Sequence, residues 1–321
     1  MPVPNARDDT HMRTARRIPT IDQYLNQRSQ AAPLILKSRM LADREADRTP
    51  VSGLVSVITT SLNSASTINR TVKSVEAQDY PRIEYLVIDG GSTDATIDQL
   101  SAAPNVIDLL ISERDAGIAD AFNKGISRSR GQYIMLVNSD DWLEPTHVSI
   151  AVATLERSGA DFVFGDLMFH FPDGSPAYIF AGDPGYARKL LHTLPSINHP
   201  TVVCRRELYE KFGLFDPTLK IAMDYEWFLR VVRGGGTGTY DNRLVSHMAL
   251  GGASIRSFNK SLGEVRDVSI DYGYPAPLAW SRFIFRVLKR LARRFLRQIS
   301  PDSVFEWMRR KINPDYRSVE R

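Results

Sequence analysis

The stretch GQYIMLVNSDDWLE, residues 131–144, reads as a buried strand that ends in acid. Tyr133 to Val137 form an unbroken apolar or aromatic run, the pattern of a strand covered on both faces. The run stops at Asn138, Ser139, Asp140 and Asp141. Adjacent carboxylates there carry negative charge to the carboxyl edge of a sheet, where open α/β sheets bind ligands. Such a pair repels itself unless a cation intervenes, and oxygen donors of this kind suit Mg2+ or Mn2+. The same residues also suit an ordinary strand-to-helix turn with Asp as helix N-cap.

The flanking sequence bears on that choice. Order begins at Gly53, and Leu54 to Thr60 reads as a strand. Ile68, Val72 and Val75 recur at helical spacing before Pro81 stops the run. Ile83 to Ile88 is a second strand ending in Asp89-Gly90-Gly91-Ser92-Thr93-Asp94, and Val106 to Ile111 is a third. Ile118, Ala121, Phe122, Gly125 and Ile126 trace an apolar helix stripe. Strands alternating with helices of this length predict an α/β fold, a Rossmann-like, doubly wound, mostly parallel sheet. Downstream, Val148 to Leu155 reads as helix and Asp161 to Gly165 as strand. Met168 to Phe180 reads as a hairpin turning at Asp173-Gly174. Ile221 to Trp227 leads into another helix, and Thr237–Tyr240 and Leu244–Met248 read as two short strands. No internal repeat, heptad run or P-loop occurs.

Composition narrows the class. With 321 residues, 43% hydrophobic and 24% charged, the chain is globular and long enough for one large domain or two. A single cysteine, Cys204 in the apolar run TVVC, excludes an intramolecular disulfide and reads as a small buried hydrophobe. No early segment has the length of a signal peptide or membrane span, so a cytoplasmic location is expected. Residues 1–50 are expected to be a partly disordered extension, with the apolar patch Pro33 to Leu36 docking on the domain.

The net charge of +4 is unevenly spread: residues 278–312 hold ten Lys or Arg, interleaved with Phe283, Val287, Leu288, Leu291, Phe295 and Leu296 at helical spacing. This predicts a basic amphipathic helical region over 258–321. It can lie on an anionic membrane surface, as a peripheral protein at the inner face of a plasma membrane, or pack on the domain with a solvated basic face. No motif supports nucleic-acid binding.

The order of these pieces resembles the family 2 glycosyltransferases, whose fold is the nucleotide-diphospho-sugar transferase fold GT-A. The matching segments are SVITTSLN (56–63), VIDGGSTD (87–94), DAGIADAFNKGI (115–126), GQYIMLVNSDDWLEP (131–145), NHPTVVCRRELYEKFGLFDP (198–217) and AMDYEWFLR (222–230). The GGSTD and DAGIADAFNKGI forms look most like bacterial transferases acting on polysaccharide or glycolipid intermediates. The resemblance implies a GT-A domain over 51–257 with a smaller antiparallel acceptor-side part. It implies a metal-dependent, inverting enzyme that moves a sugar from a UDP-, GDP- or dTDP-linked donor to a hydroxyl of a glycan or lipid-linked acceptor.

By the same resemblance, Thr60, Leu62, Asn63, Asp89, Asp115, Lys124, Ser139 and Asp140 fall on the nucleotide-sugar side. Asp140 and Asp141, with His247 as a further candidate, would hold Mn2+ or Mg2+. Asn138 stands where the family usually has a first Asp, so the Asp-x-Asp pattern reads Asn-Ser-Asp-Asp here. Asp224 matches the acidic position expected of the general base, with Glu226 as fallback and Trp227 as an acceptor wall. His199 reads as a structural histidine. Two other classes remain in view, a nucleotidyltransferase and a non-catalytic nucleotide-sugar binder or membrane scaffold. SLNSASTINR lacks the Arg-Lys-bearing, glycine-rich loop usual in the former, and the combination of Asp140, Asp141 and Asp224 speaks against the latter.

Overall fold

The computed structural model describes residues 18–27, 34–38, 49–103, 105–171, 173–192, 197–250, 258–299 and 316–318. In chain order the strands are β1 (Leu34–Ser38), β2 (Val51–Ser61), β3 (Ile83–Asp89), β4 (Leu109–Ser112), β5 (Gly131–Asn138), β6 (Asp141–Leu143), β7 (Phe162–His170), β8 (Pro176–Phe180), β9 (Val203–Arg205), β10 (Gly238–Ala249) and β11 (Tyr316–Ser318). The helices are α1 (Ile21–Gln27), α2 (Ile68–Glu76), α3 (Thr96–Ser101), α4 (Ile118–Arg128), α5 (His147–Ser158), α6 (Tyr186–Lys189), α7 (Glu207–Phe212), α8 (Met223–Arg233), α9 (Phe258–Asp271) and α10 (Ala276–Ile299). A 3-10 turn spans His199–Thr201.

All the strands join one sheet, with β4, β3, β2 and β5 running parallel in that spatial order. Their near-continuous apolar sequences follow from burial on both faces. Val55, Val57, Tyr85, Val87 and Met135 pack with α2 and α5 on one side, whereas Ile58, Leu86, Ile88 and Ile134 pack with α4 and α8 on the other. Gly125 lets α4 close on the sheet: a Cβ there would lie 2.3 Å from Ile58 Cγ2. Beyond β5 the sheet turns mixed, with β9 antiparallel to both β5 and β7, and β10 parallel to β7. The hairpin expected at Asp173-Gly174 is β7–β8.

Two details differ from the sequence reading, and the expected docking of the apolar patch takes the form of a strand. The two short strands expected at 237–248 are one strand, β10, with its register on β7 shifting between Tyr240 and Val245. The acidic turn leads first into a strand, β6, which pairs antiparallel with β10 (Trp142 opposite His247) before α5 begins. Part of the N-terminal extension joins the domain: β1 adds antiparallel to β4, and the Tyr24 hydroxyl of α1 donates to Asp120 Oδ1 at 2.5 Å. Residues 1–17, 28–33 and 39–48, Gly251-Gly252, and the basic segment 300–312 lie outside the described residues.

Candidate active site

Register places the chemistry. Thr60 pairs with Asn138 and Ser61 with Asp89, so the ends of β2, β3 and β5 stand together on one sheet edge. Past β2 the chain turns through Asn63, the one described non-glycine residue with positive φ, at 50°, a conformation Asn tolerates. Asn63 Oδ1 accepts from the Thr93 amide at 2.9 Å, and the Asn63 amide donates to Ser92 Oγ at 2.8 Å, so the loops after β2 and β3 are laced together. Leu62 beside it is 56% exposed, an apolar plate at a polar rim, while Thr60 is buried beneath.

Asp89 belongs to the turn itself. Its Oδ2 accepts from the amides of Gly91 and Ser92 and from the Ser112 hydroxyl, its Oδ1 accepts from the Ser92 hydroxyl, and the side chain is sealed from solvent. That corrects the expectation of a base contact: Asp89 fixes the loop. Asp115, part-exposed, occupies the ground above it. Its Oδ2 lies against Gly90, where a Cβ would come within 2.4 Å, and its Oδ1 accepts from the Gly117 amide.

The Asn-Ser-Asp-Asp turn is clamped by α2 and the loop before it. Ser64 and Ser139 hydroxyls meet at 2.7 Å, and Thr71 Oγ1 donates to the carbonyls of Ser139 and Asp141. Arg70 reaches the Asp140 carbonyl and lies over the Trp142 ring, 3.5 Å from its centroid. Burial lowers the Arg70 pKa, opposed by the nearby charges of Asp141 and Asp140. Arg70 and Thr71 had no signal in the sequence, since they sit on a helix whose stripe marks only its core side.

The two carboxylates are not equivalent. Asp140 is part-exposed, whereas Asp141 is fully buried. Asp141 Oδ2 accepts from Asn138 Nδ2 at 2.8 Å, while Asp141 Oδ1 and Asn138 Oδ1 are buried without a hydrogen-bond partner. Burial, then the neighbouring Asp140 charge, pushes the Asp141 carboxyl well above the usual range. Asp141 is thus sealed from the rim, and of the two expected ligands only Asp140 opens on it.

His247 is corrected too: Nε2 meets Glu144 Oε1 at 2.7 Å, Nδ1 meets His170 Nε2 at 2.9 Å, and the ring stacks on Trp142. With both nitrogens engaged it has no lone pair for an ion. No group of three metal-ligating side chains occurs among the described residues. The donor set is one open carboxylate, which suits a hard cation that takes its other oxygens from substrate and water.

Other expected site residues prove structural. Lys124 is fully buried, with Nζ 2.8 Å from Glu113 Oε1 and donating to the Arg114 carbonyl. Glu226 is buried against Arg230 and the Tyr272 hydroxyl, so it is no spare base. Trp227 is a core residue, stacked on Tyr209 with Nε1 donating to the Gly213 carbonyl. Cys204 is buried, its thiol pushed up to about 12 by burial.

Asp224 stands apart from these. It is part-exposed in the first turn of α8, where the helix dipole favours a carboxylate. It faces His199, whose pKa burial lowers and the Asp224 charge opposes. The loop before α8 reaches back to the loop after β4: Lys220 Nζ donates to the Ala116 carbonyl at 2.7 Å, next to Asp115. Glu264 of α9 holds that loop, its carboxylate accepting from the amides of Lys220, Ile221 and Ala222. One chain of contacts thus runs from the β3 end through Asp115 to the start of α8.

A family model described as glycosyl transferase family 2 matches residues 56–213. A Mycobacterium tuberculosis protein described as an uncharacterized glycosyltransferase is 36% identical over 181 residues, 55% of this chain and 68% of that one. The chain belongs to glycosyl transferase family 2.

A second relative, the Mycobacterium tuberculosis PGL/p-HBAD biosynthesis glycosyltransferase, is 25% identical over 80% of this chain and 98% of its own length. Among solved structures, the mannosyltransferase PcManGT of Pyrobaculum calidifontis, in complex with GDP-Man and Mn2+, superposes with a TM-score of 0.54 at 18% identity. That match covers 80% of this chain and 72% of that one, and it shows the shared GT-A fold. The expected fold and family are both borne out, and with them sugar transfer as the activity. No described helix is long and apolar enough to cross a membrane.

Proposed function

We propose that this glycosyltransferase moves a sugar from a nucleotide-diphosphate donor to a hydroxyl of a glycan or lipid-linked acceptor, with inversion at the anomeric carbon. Leu62, Asn63 and Asp115 take the base and ribose side, with Ser139 beside them. Asp140 holds a divalent cation, Mn2+ or Mg2+, which when bound offsets the charge of the leaving diphosphate. Asp224 accepts the proton of the acceptor hydroxyl as its oxygen bonds to the anomeric carbon and the carbon–phosphate oxygen bond breaks. The observation that carries the reading is the split between the acidic neighbours: Asp140 opens on the strand-end rim while Asp141 is sealed. The names of the mycobacterial relative and of the Mn2+ complex support the acceptor and metal classes.

Release of nucleoside diphosphate from a panel of nucleotide sugars is the test. It is expected to require a divalent cation and to disappear in Asp140→Ala. Asp224→Asn is expected to keep donor affinity while transfer falls about a hundredfold or more, the usual worth of a positioned base. Undiminished transfer in that variant removes Asp224 as the base.

The same proposal places the protein on an anionic membrane surface through α10. Leu278, Ile284, Phe285, Leu288 and Leu291 are all exposed on that helix, in a stripe at helical spacing. An apolar stripe left uncovered on a basic helix fits an interfacial anchor better than a solvated face.

A further inference from the structure

The inner face of α10 carries the opposite chemistry. Ala279, Arg282, Phe283 and Arg286 recur at i, i+3, i+4 and i+7 and line a cleft with Tyr225 of α8 and Arg266 of α9. Tyr225 is 2% exposed, and its hydroxyl is buried without a hydrogen-bond partner although the residue lines the cleft. Arg266 is paired with Asp267 and lies over the Trp280 ring. Arg282 donates to the His192 carbonyl and lies over the Tyr274 ring. Neither Arg282 nor Arg286 has a carboxylate partner among the described residues. Burial lowers the Arg286 pKa, the neighbouring Tyr225 phenol opposes it, and the Arg282 charge adds to the lowering. A soluble helix turns apolar residues inward and leaves cations in water. Here the part-buried Arg286 guanidinium and a lone phenol face a cleft with the exposed Arg282 at its rim, an arrangement that an anion with several acceptor oxygens would satisfy.

We propose that this cleft binds the phosphate ester of a lipid, presented beside the acceptor hydroxyl. Phosphate oxygens match the guanidinium fork, and the Tyr225 hydroxyl supplies a further donor. Tyr225 and Asp224 share the first turn of α8 on adjoining faces, so a phosphate held here anchors its lipid within one helix turn of the proposed base. That position rests on the acceptor-side reading of Asp224, whereas phosphate binding itself does not. The ester has two sources, a lipid-linked acceptor carrying its own phosphate or a membrane phospholipid headgroup.

The probe is inorganic pyrophosphate, titrated into the full chain by calorimetry in EDTA, which closes any metal-dependent route through Asp140. Saturable binding is expected, weakened about tenfold or more by Arg286→Gln, the cost of one charged hydrogen bond. Tyr225→Phe, which removes a single oxygen and keeps the ring, is expected to weaken it several-fold. Nucleotide affinity in Mn2+ is expected to be unchanged in both, which separates failure of the cleft from failure of the donor site. Equal pyrophosphate binding by wild type, Tyr225→Phe and Arg282→Gln/Arg286→Gln overturns the proposal, as does no binding at all. Vesicles then separate the sources. If the arginine variants lose binding to phosphatidic acid vesicles as well as pyrophosphate, the headgroup is the ligand. If vesicle binding stays while pyrophosphate binding is lost, the phosphate belongs to the acceptor.

Discussion

Asp140 and Asp141 are adjacent in sequence and opposite in circumstance, and the difference comes from what α2 does to their turn. Thr71 ties the turn by its carbonyls, which leaves one carboxylate at the rim and forces the other inward against Asn138. Gly90 is a second place where one residue sets the site. Gly90→Ala would push the Asp115 carboxylate from its position, because the new methyl would meet it rather than any backbone atom. The expected result is a loss of about tenfold in nucleotide affinity, measured by titration and equivalent to one hydrogen bond to a charged group. The melting temperature should move little, since only a side chain has to give. The sequence marked Gly90 as a turn former but had no means of showing that Asp115 fills the space above it. It also marked Lys124, Glu226 and Trp227 as functional when each is buried against protein partners of its own. Polar residues at motif positions look alike in a string of letters whether they meet substrate or one another.

Elements were more legible than side chains. The buried strands and the α4 stripe follow from hydrophobic period alone, because a doubly covered parallel sheet leaves a strong signature. β6 was hidden, since three residues carry no period, and the bulge in β10 was read as a break. The helix pair α9 and α10 was legible as basic and amphipathic, but not the direction in which its faces turn. Glu264 makes that pair matter to catalysis, because it satisfies three amides just before α8. Glu264→Ala leaves those amides to water and should cost about 1 kcal/mol, as loss of an N-terminal cap does. Steady-state kinetics should show kcat falling with donor affinity preserved, because α8 carries Asp224 and not the nucleotide contacts. A matched loss of donor affinity would mean that the loop serves the other side.

At the scale of the whole molecule, the proposed donor side lies on the uniform parallel sheet, and the proposed acceptor side on β9, β10, α8 and the C-terminal helices. The match to the family model ends at residue 213, before Asp224, whereas the 25% identical mycobacterial relative matches over 80% of this chain. The outward stripe of α10 gives a test at this scale. Phe285→Glu/Leu288→Glu is expected to abolish co-sedimentation with anionic vesicles while soluble donor hydrolysis continues. Equal sedimentation by the double variant would show that α10 does not face lipid. Glu264 has a wider bearing when set beside that stripe. α10 packs on α9, and α9 grips the stretch that leads into the proposed base. On the proposed reading, a surface that takes hold of the final long helix would also have a handle on the proton acceptor, linking where the enzyme is moored and how readily it turns over through one hairpin.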